Sequence, residues 1–339
     1  MSSESFILLF SFLLINLALS IFFDKNYYLI NIYDAPNTKI KKHKTRMPVY
    51  GGMIFICNFL IFTFIDILYF NFFFSLNRFS IVLIVSVISI FFLGLIDDKN
   101  NLKPLVKSVF ILLFSSIIIL SNNDLIISEI KLDNLDKIFL YNFSFFFTVL
   151  CIFVFINSYN MLDGADLNIA FYNFFVLIFL FYKTSYNQLF LLFLVVNFFF
   201  FILNFKKKTF FGNNGSYFFS FFISVMLIYC FKNYESINEE DIILVTIFPV
   251  IEMIRLFFTR IVKDKSPFVG DNNHFHHMTA NLFGKFNGIL VCQLYIVSCS
   301  ILDFLFNLNL WLLISLFLVL YFISIYIMNN KIFIKYKKK

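Results

Sequence analysis

The sequence predicts an all-α fold: a polytopic bundle of about eleven membrane-spanning helices, forming a single domain over residues 1–339. Three observations predict it. Hydrophobic residues make up 60% of the chain and charged residues only 14%, against roughly a quarter charged in a soluble domain. The mean hydropathy of +0.86 means that polar side chains are too few to cover a globule of this size, whereas a bilayer requires an apolar exterior. Apolar runs recur at about the 20-residue length that crosses the hydrocarbon core as a helix, and Lys and Arg are distributed unevenly between the segments that join them.

The runs lie at 5–24, 49–74, 79–96, 105–121, 141–159, 166–183, 186–204, 213–232, 241–261, 287–305 and 309–328. The first, Phe6 to Phe23, is too long for the apolar core of a signal peptide and has no basic segment before it, so it reads as a span. In lipid the backbone must satisfy its own hydrogen bonds, which makes each run a helix. Alternate connections, counted from the C-terminal tail, carry 21 Lys and Arg, and those on the other side carry five. The positive-inside rule then places the tail and the long polar loops in the cytoplasm and the N-terminus outside. Segment 122–140 is the polar stretch on the outer side, and its short alternation suggests a small hairpin or a surface-lying piece. The five cysteines include no Cys-x-x-Cys pair and read as small buried hydrophobes. The 56 Phe reflect a compositional bias that lipid-facing helices tolerate.

Five cytoplasmic segments gather the unusual polar residues on one membrane face, which suggests a site there. The basic loop DAPNTKIKKHKTRMPVYGG (34–52) ends in Gly51-Gly52; by itself it is an inside anchor with small residues for helix packing. GLIDDKNNLKPLVK (94–107) carries the adjacent pair Asp97-Asp98 at the end of a span. Two such carboxylates repel unless a cation intervenes, and they can hold Mg²⁺ or take a proton. Lys107, one turn into the next span, either snorkels or meets a phosphate. NSYNMLDGADLN (157–168) has two acids and no base on the basic side, with Asn157, Asn160 and Asp163 at helical spacing. FFGNNGSYFF (210–219) reads either as an anion-holding turn or as a turn with Ser216 capping a helix. PVIEMIRLFFTRIVKDKSPFVGDNNHFHHM (249–278) clusters His274, His276 and His277 without the Cys or acid spacing of a zinc site, and Glu252 and Arg255 stand a turn apart as a structural ion pair.

Asp97-Asp98, NSYNMLDGAD, GNNGS and HFHH, in this order over roughly residues 34–287, resemble the polyprenyl-phosphate N-acetylhexosamine-1-phosphate transferases (glycosyltransferase family 4). The His-x-His-His form is similar to the undecaprenyl-phosphate N-acetylglucosaminyl-1-phosphate transferase type rather than to the phospho-muramoyl-pentapeptide transferases. The resemblance implies Mg²⁺, with Mn²⁺ as a substitute, and two substrates, a UDP-N-acetylhexosamine (UDP-GlcNAc by default) and undecaprenyl phosphate. It implies release of UMP and the start of lipid-linked glycan synthesis, for cell-wall polysaccharide or O-antigen, at the cytoplasmic face of a bacterial inner membrane. The partners are the two substrates and the bilayer, with a homodimer compatible and no nucleic acid. Carried onto this chain, Asp97, Asp98 and His276 take catalytic roles, and Asp98, Asp163 and Asn213 bind metal. Lys44, Lys107, Asn157, Asn160, Asp163, Asp166, Arg260, His274 and His277 contact substrate.

Two positions depart from the family pattern. Asn213 stands where the turn usually has a metal-binding Asp; an amide oxygen brings no negative charge, so metal affinity should fall. Leu167 stands where Gly usually follows the second Asp. Asn213 therefore keeps open a homologue that has lost catalysis and acts as a binding or assembly protein. A transporter would place ionisable groups in broken helices at mid-membrane, whereas the acids here sit at span ends.

Overall fold

The computed structural model describes residues 3–34, 46–132, 136–164, 166–233, 236–267, 271 and 273–337. The chain packs as two compact units, residues 1–128 with 141–237, and 129–140 with 238–339.

The first unit contains helices α1 (Ser3–Ile30), α2 (Gly51–Ile65), α3 (Arg78–Asn100), α4 (Pro104–Ser121), α5 (Ser144–Leu162), α6 (Asn168–Lys183), α7 (Asn187–Phe205) and α8 (Gly212–Asn233). A two-residue antiparallel ribbon, β1 (Tyr33–Asp34) with β2 (Met47–Pro48), joins α1 to α2, pairing Tyr33 with Pro48. Local sequence sets the helix ends. Asn77 caps α3 by accepting from Ser80 N–H at 2.7 Å. Pro104 opens α4, where a missing N–H costs nothing.

α8 is the central helix of this unit, with nearly every residue from Asn214 to Cys230 buried. Beyond its first turns it is mostly apolar on every side, as an enclosed helix must be, and its Ser220 and Ser224 hydroxyls bond carbonyls of the helix itself. Phenylalanines supply much of the packing, with Phe55 5.3 Å from Phe219 and Phe59 5.4 Å from Phe222, both edge-to-face. Buried amides join helices where water cannot. Tyr159 donates to Asn173, Asn173 to Asn197 at 3.2 Å, and Asn197 to the Ala170 carbonyl at 2.8 Å, tying α5, α6 and α7.

Glycines bring α2 and α3 against the start of α8. A Cβ on Gly52 would collide with Gly215 and the Asn214 side chain. One on Gly94 would collide with the Asn213 carbonyl and lie 2.6 Å from Asn214 Cα. The small pair that opens α2 thus serves helix packing, as the sequence suggests.

The second unit contains the ribbon β3 (Glu129–Ile130) and β4 (Ile138–Phe139), then α9 (Glu239–Ile261), α10 (Phe275–Phe283), α11 (Lys285–Phe306) and α12 (Leu310–Lys337). The ribbon is the hairpin expected within 122–140. α9 opens with a capping box between Asn238 and Asp241, and three acids in its first turn complement the helix dipole.

Every expected span coincides with a helix. Among the described residues, ten helices are long and apolar enough to cross a membrane, α2 by running on through a π-helical turn, Asp66–Phe70; the eleventh, α6, has 16 residues, about 24 Å at 1.5 Å per residue, and is short of the hydrocarbon thickness. α10 is the one α-helix the sequence reading did not anticipate among the described residues, because nine residues are too few to show a period. Large side chains such as Phe64, Leu105, Phe146 and Phe258 stand exposed, as an apolar solvent permits. The chain is an all-α, multi-pass membrane protein.

The close approach at Gly94 is open to test. Gly94→Ala should destabilise the detergent-solubilised protein by about 1–3 kcal/mol, the usual cost of overpacking. The loss should appear as a lower thermal midpoint and faster amide exchange in residues 212–217.

Candidate active site

The first N–H groups of a helix lack intrahelical partners. In α8, which the chain enters through Gly212 at φ +78°, those groups are met by Asp98 from the end of α3. Asp98 Oδ1 accepts from Asn213 N–H at 2.9 Å, and Oδ2 accepts from Asn214 N–H at 2.9 Å and Asn214 Nδ2 at 2.6 Å. Ser216 is therefore not the opening residue that the sequence suggested. It lies inside the helix and donates to Asp163 Oδ2 at 2.5 Å.

Asp97 faces a different set of neighbours, since successive helical side chains diverge by about 100°. Its Oδ1 accepts from Leu102 N–H at 2.8 Å; its Oδ2 accepts from Tyr217 OH at 3.2 Å and pairs with Lys107 Nζ at 2.7 Å. The two carboxylates do not form a facing dyad. Each has its own donors, and Lys107 is the cation beside Asp97.

Asp163 caps the C-terminal end of α5 and is half-buried. Burial raises its pKa from 3.8 to about 8; the Ser216 hydrogen bond opposes the rise and the nearby Asp98 charge adds to it. Asn157 donates to the Phe153 carbonyl of its own helix at 2.7 Å, and Asn160 lies one turn further along α5. Asp166 sits half-buried in the following turn. Lys44 lies outside the described residues.

Leu167 ends that turn at φ +66°, the left-handed region that costs a non-glycine residue about 1–2 kcal/mol. The departure from Gly noted in the sequence thus falls where glycine would be unstrained. Asn204 fixes the conformation, accepting from Leu167 N–H at 2.6 Å and donating to the Thr209 carbonyl at 2.8 Å. Thr209 Oγ1 in turn accepts from Tyr50 N–H at 3.0 Å, and Phe210 N–H donates to the Pro48 carbonyl at 3.0 Å.

Among the described residues, no three His, Cys, Asp or Glu side chains gather closely enough to cage a metal ion. The donor set fits a cation that shares its shell with substrate phosphates, as Mg²⁺ commonly does. Among the described residues Asp163 is a half-buried carboxyl hydrogen-bonded by the neutral Ser216 hydroxyl, and Asn213 meets Asp98 through its backbone rather than its carboxamide. Asp98 already has both oxygens engaged.

In the second unit the three histidines form one cluster, with ring centroids 4.3 Å apart for His276 and His277 and 5.2 Å for His274 and His276. His274 and His276 are buried. Burial, then the neighbouring His277, pushes the His274 pKa down to about 3, so its ring is neutral, and its Nδ1 is buried without a hydrogen-bond partner among the described residues. Arg260 is not turned out toward a free anion. Its Nε donates to Asp271 at 3.0 Å and its Nη1 to the Pro267 carbonyl at 2.6 Å. Burial works against the Asp271 charge, but the bond and charge of Arg260 prevail and hold that carboxyl below its usual value. Glu252 and Arg255 form the expected ion pair, 2.9 Å apart.

Sequence reading passed over Asn214, Tyr217, Asn204, Asp271 and Tyr321. Asn214 and Tyr217 sit in a segment already singled out, and their polarity next to glycines was the available signal. Nothing local marks Tyr321.

Residues 80–231 match the family model for glycosyl transferase family 4. The matched stretch contains Asp97, Asp98, Lys107, Asp163, Asn213 and Ser216, and ends before the histidines. No curated protein matches the sequence.

The raised pKa of Asp163 makes a signed prediction for the metal-free protein. A carboxyl that holds its proton more tightly when folded lends stability that is full below pH 4 and is lost as pH rises towards 8. In chelator, the wild-type thermal midpoint should fall across that window, and Asp163→Asn should flatten the fall. An unchanged slope in the variant would remove Asp163 as its source.

Proposed function

From the match of residues 80–231 to glycosyl transferase family 4, we propose that the chain transfers N-acetylhexosamine 1-phosphate, with GlcNAc 1-phosphate as the default, from a UDP-sugar to undecaprenyl phosphate. The coarser statement, that it is a membrane sugar-1-phosphate transferase acting on a polyprenyl phosphate, follows from the family itself. In the proposed reaction an oxygen of the lipid phosphate attacks the sugar-bearing β-phosphorus. The bond from that phosphorus to the bridging oxygen breaks, UMP departs with the electron pair, and a lipid-linked diphosphosugar remains. This reading puts the site on the cytoplasmic face of a bacterial inner membrane, with the N-terminus outside, as the charge distribution of the loops suggests.

The observation that carries the proposal is that Asp98 accepts the Asn213 and Asn214 N–H groups at the start of α8 while Asp163 accepts from Ser216 one turn further on. Phosphoryl transfer needs neutralised charge and aligned groups more than covalent help. Bound Mg²⁺, or Mn²⁺, would supply neutralisation on the diphosphate, and Asp163 and Asn213 are the residues best able to hold it. Asp98 keeps the N-terminal turn of α8 in place. Asp97, beside Lys107, orients or deprotonates the lipid phosphate, and Lys107 offers it positive charge. Asn160 and Asp166 line the nucleotide region, and His274, His276 and His277 contact phosphate or sugar.

One observation favours a second reading. Asn213 gives the turn no charge, and Asp98 is fully engaged, which suits a homologue that binds lipid-linked intermediates without turnover.

Transfer of label from UDP-GlcNAc to undecaprenyl phosphate in detergent with Mg²⁺ separates the two. Labelled lipid is expected from the wild type and should vanish with Asp97→Asn. Asn213→Asp should lower the Mg²⁺ concentration at half-maximal rate several-fold, on the order expected for one added charged ligand. No labelled product from any UDP-aminosugar, even with Asn213→Asp, would sink the enzymatic reading and leave the binding one.

A further inference from the structure

The histidine segment is held by buried groups that sequence spacing only partly exposes. α10 begins at Phe275, between His274 and His276, and Phe275 is 1% exposed. Its ring lies 4.9 Å from Tyr295, 5.5 Å from Phe248 and stacked 5.5 Å from Tyr321, so it plugs the segment among α9, α11 and α12. The backbone on either side of His274 is clamped as well. Glu252 Oε1 accepts from Phe275 N–H at 2.7 Å, and Arg255 Nη2 donates to the Asn273 carbonyl at 2.7 Å. The same Glu252 carboxylate takes both Arg255 Nη2 and Nε, at 2.9 and 3.0 Å, and accepts from the Tyr321 hydroxyl, which itself accepts from Arg255 Nε at 2.8 Å.

The clamp has more charge than a simple packing contact requires. Glu252 is 3% and Arg255 9% exposed, and an apolar pair of similar volume would hold two helices as well or better. What an apolar pair cannot do is accept the orphan N–H at the start of α10 while donating to the carbonyl two residues earlier. These two bonds fix the peptide planes flanking His274 and so aim the rings of His274 and His276, whose Cβ atoms are set by that backbone.

We propose that Glu252, Arg255 and Tyr321 are positioning residues that hold the histidine segment in its reactive geometry. The proposal rests on the transferase reading above. The three touch no substrate; they act through the backbone of Asn273 and Phe275.

Two conservative changes test it. Tyr321→Phe keeps the ring stacked on Phe275 and removes one hydroxyl. Glu252→Gln keeps shape and an acceptor oxygen but removes the charge. Supporting groups of this kind typically cost about 10–100-fold when lost. The expected result is a fall in kcat of that size for Glu252→Gln and a smaller one for Tyr321→Phe. KM for both substrates should stay within a few-fold, and Glu252→Asp should recover much of the rate. Amide exchange should quicken at residues 275–279 and stay unchanged at 212–217. A working wild type whose kcat survives both substitutions overturns the proposal, as does a loss of rate with no change in exchange at 275–279 or with loosening of both regions together. A wild type that transfers no sugar phosphate at all overturns the transferase reading, and the inference goes with it.

Discussion

The carboxylate of Asp98 at the foot of α3 and the unfilled N–H groups at the head of α8 form the contact on which the first unit depends. A helix enclosed on all sides has no water to satisfy its opening turn, so a neighbour must. Asp98 fills that need for two backbone N–H groups and takes a third bond from the Asn214 carboxamide, and a negative charge there also complements the positive end of the helix dipole. The approach needs room, which Gly94 and Gly52 provide by having no Cβ. With the turn fixed, Asn213 and Ser216 take defined places, and Ser216 reaches Asp163 at the end of α5. The placing of one buried carboxylate thus sets the geometry of the polar groups around it.

The second unit solves a related problem with arginines. Backbone carbonyls at the described ends of the connection between α9 and α10 take partners from α9. Arg255 takes the Asn273 carbonyl and Arg260 the Pro267 carbonyl, each neutralised by an acid, Glu252 or Asp271. Guanidinium suits this work because its several donors lie in one plane and bridge a carboxylate and a carbonyl together.

Much of this was legible in the sequence because hydropathy leaves so little choice in a bilayer. Each expected span is a helix, the 122–140 hairpin is present, and Glu252 with Arg255 is an ion pair at the spacing that suggested it. The polar segments were also identifiable, since acids and amides at the ends of apolar runs are conspicuous. What could not be read was how neighbours divide their work. Asp97 and Asp98 look like one dyad on paper, yet a helix turns them to separate partners. Arg260 looks like a phosphate ligand until Asp271, eleven residues on, is seen to face it. Tyr321 lies 66 residues from Arg255, and only tertiary packing brings them together. The strain at Leu167 was foreshadowed by the family pattern, but not the Asn204 amide that sustains it.

That amide has a mechanical consequence. Asn204 grips Leu167 with its oxygen and Thr209 with its nitrogen, and the strand-like stretch 209–211 is in turn laced to Pro48, Tyr50, Gly51 and Gly52. The α5–α6 turn, the α7–α8 connection and the entry to α2 are therefore geared to one another. None can swing without breaking bonds to the next, and the left-handed leucine acts as a sprung link that resists sliding. Any rearrangement that admits or releases a ligand near Asp163 must displace all three connections as one body, so opening would register as a single cooperative step rather than three independent fluctuations.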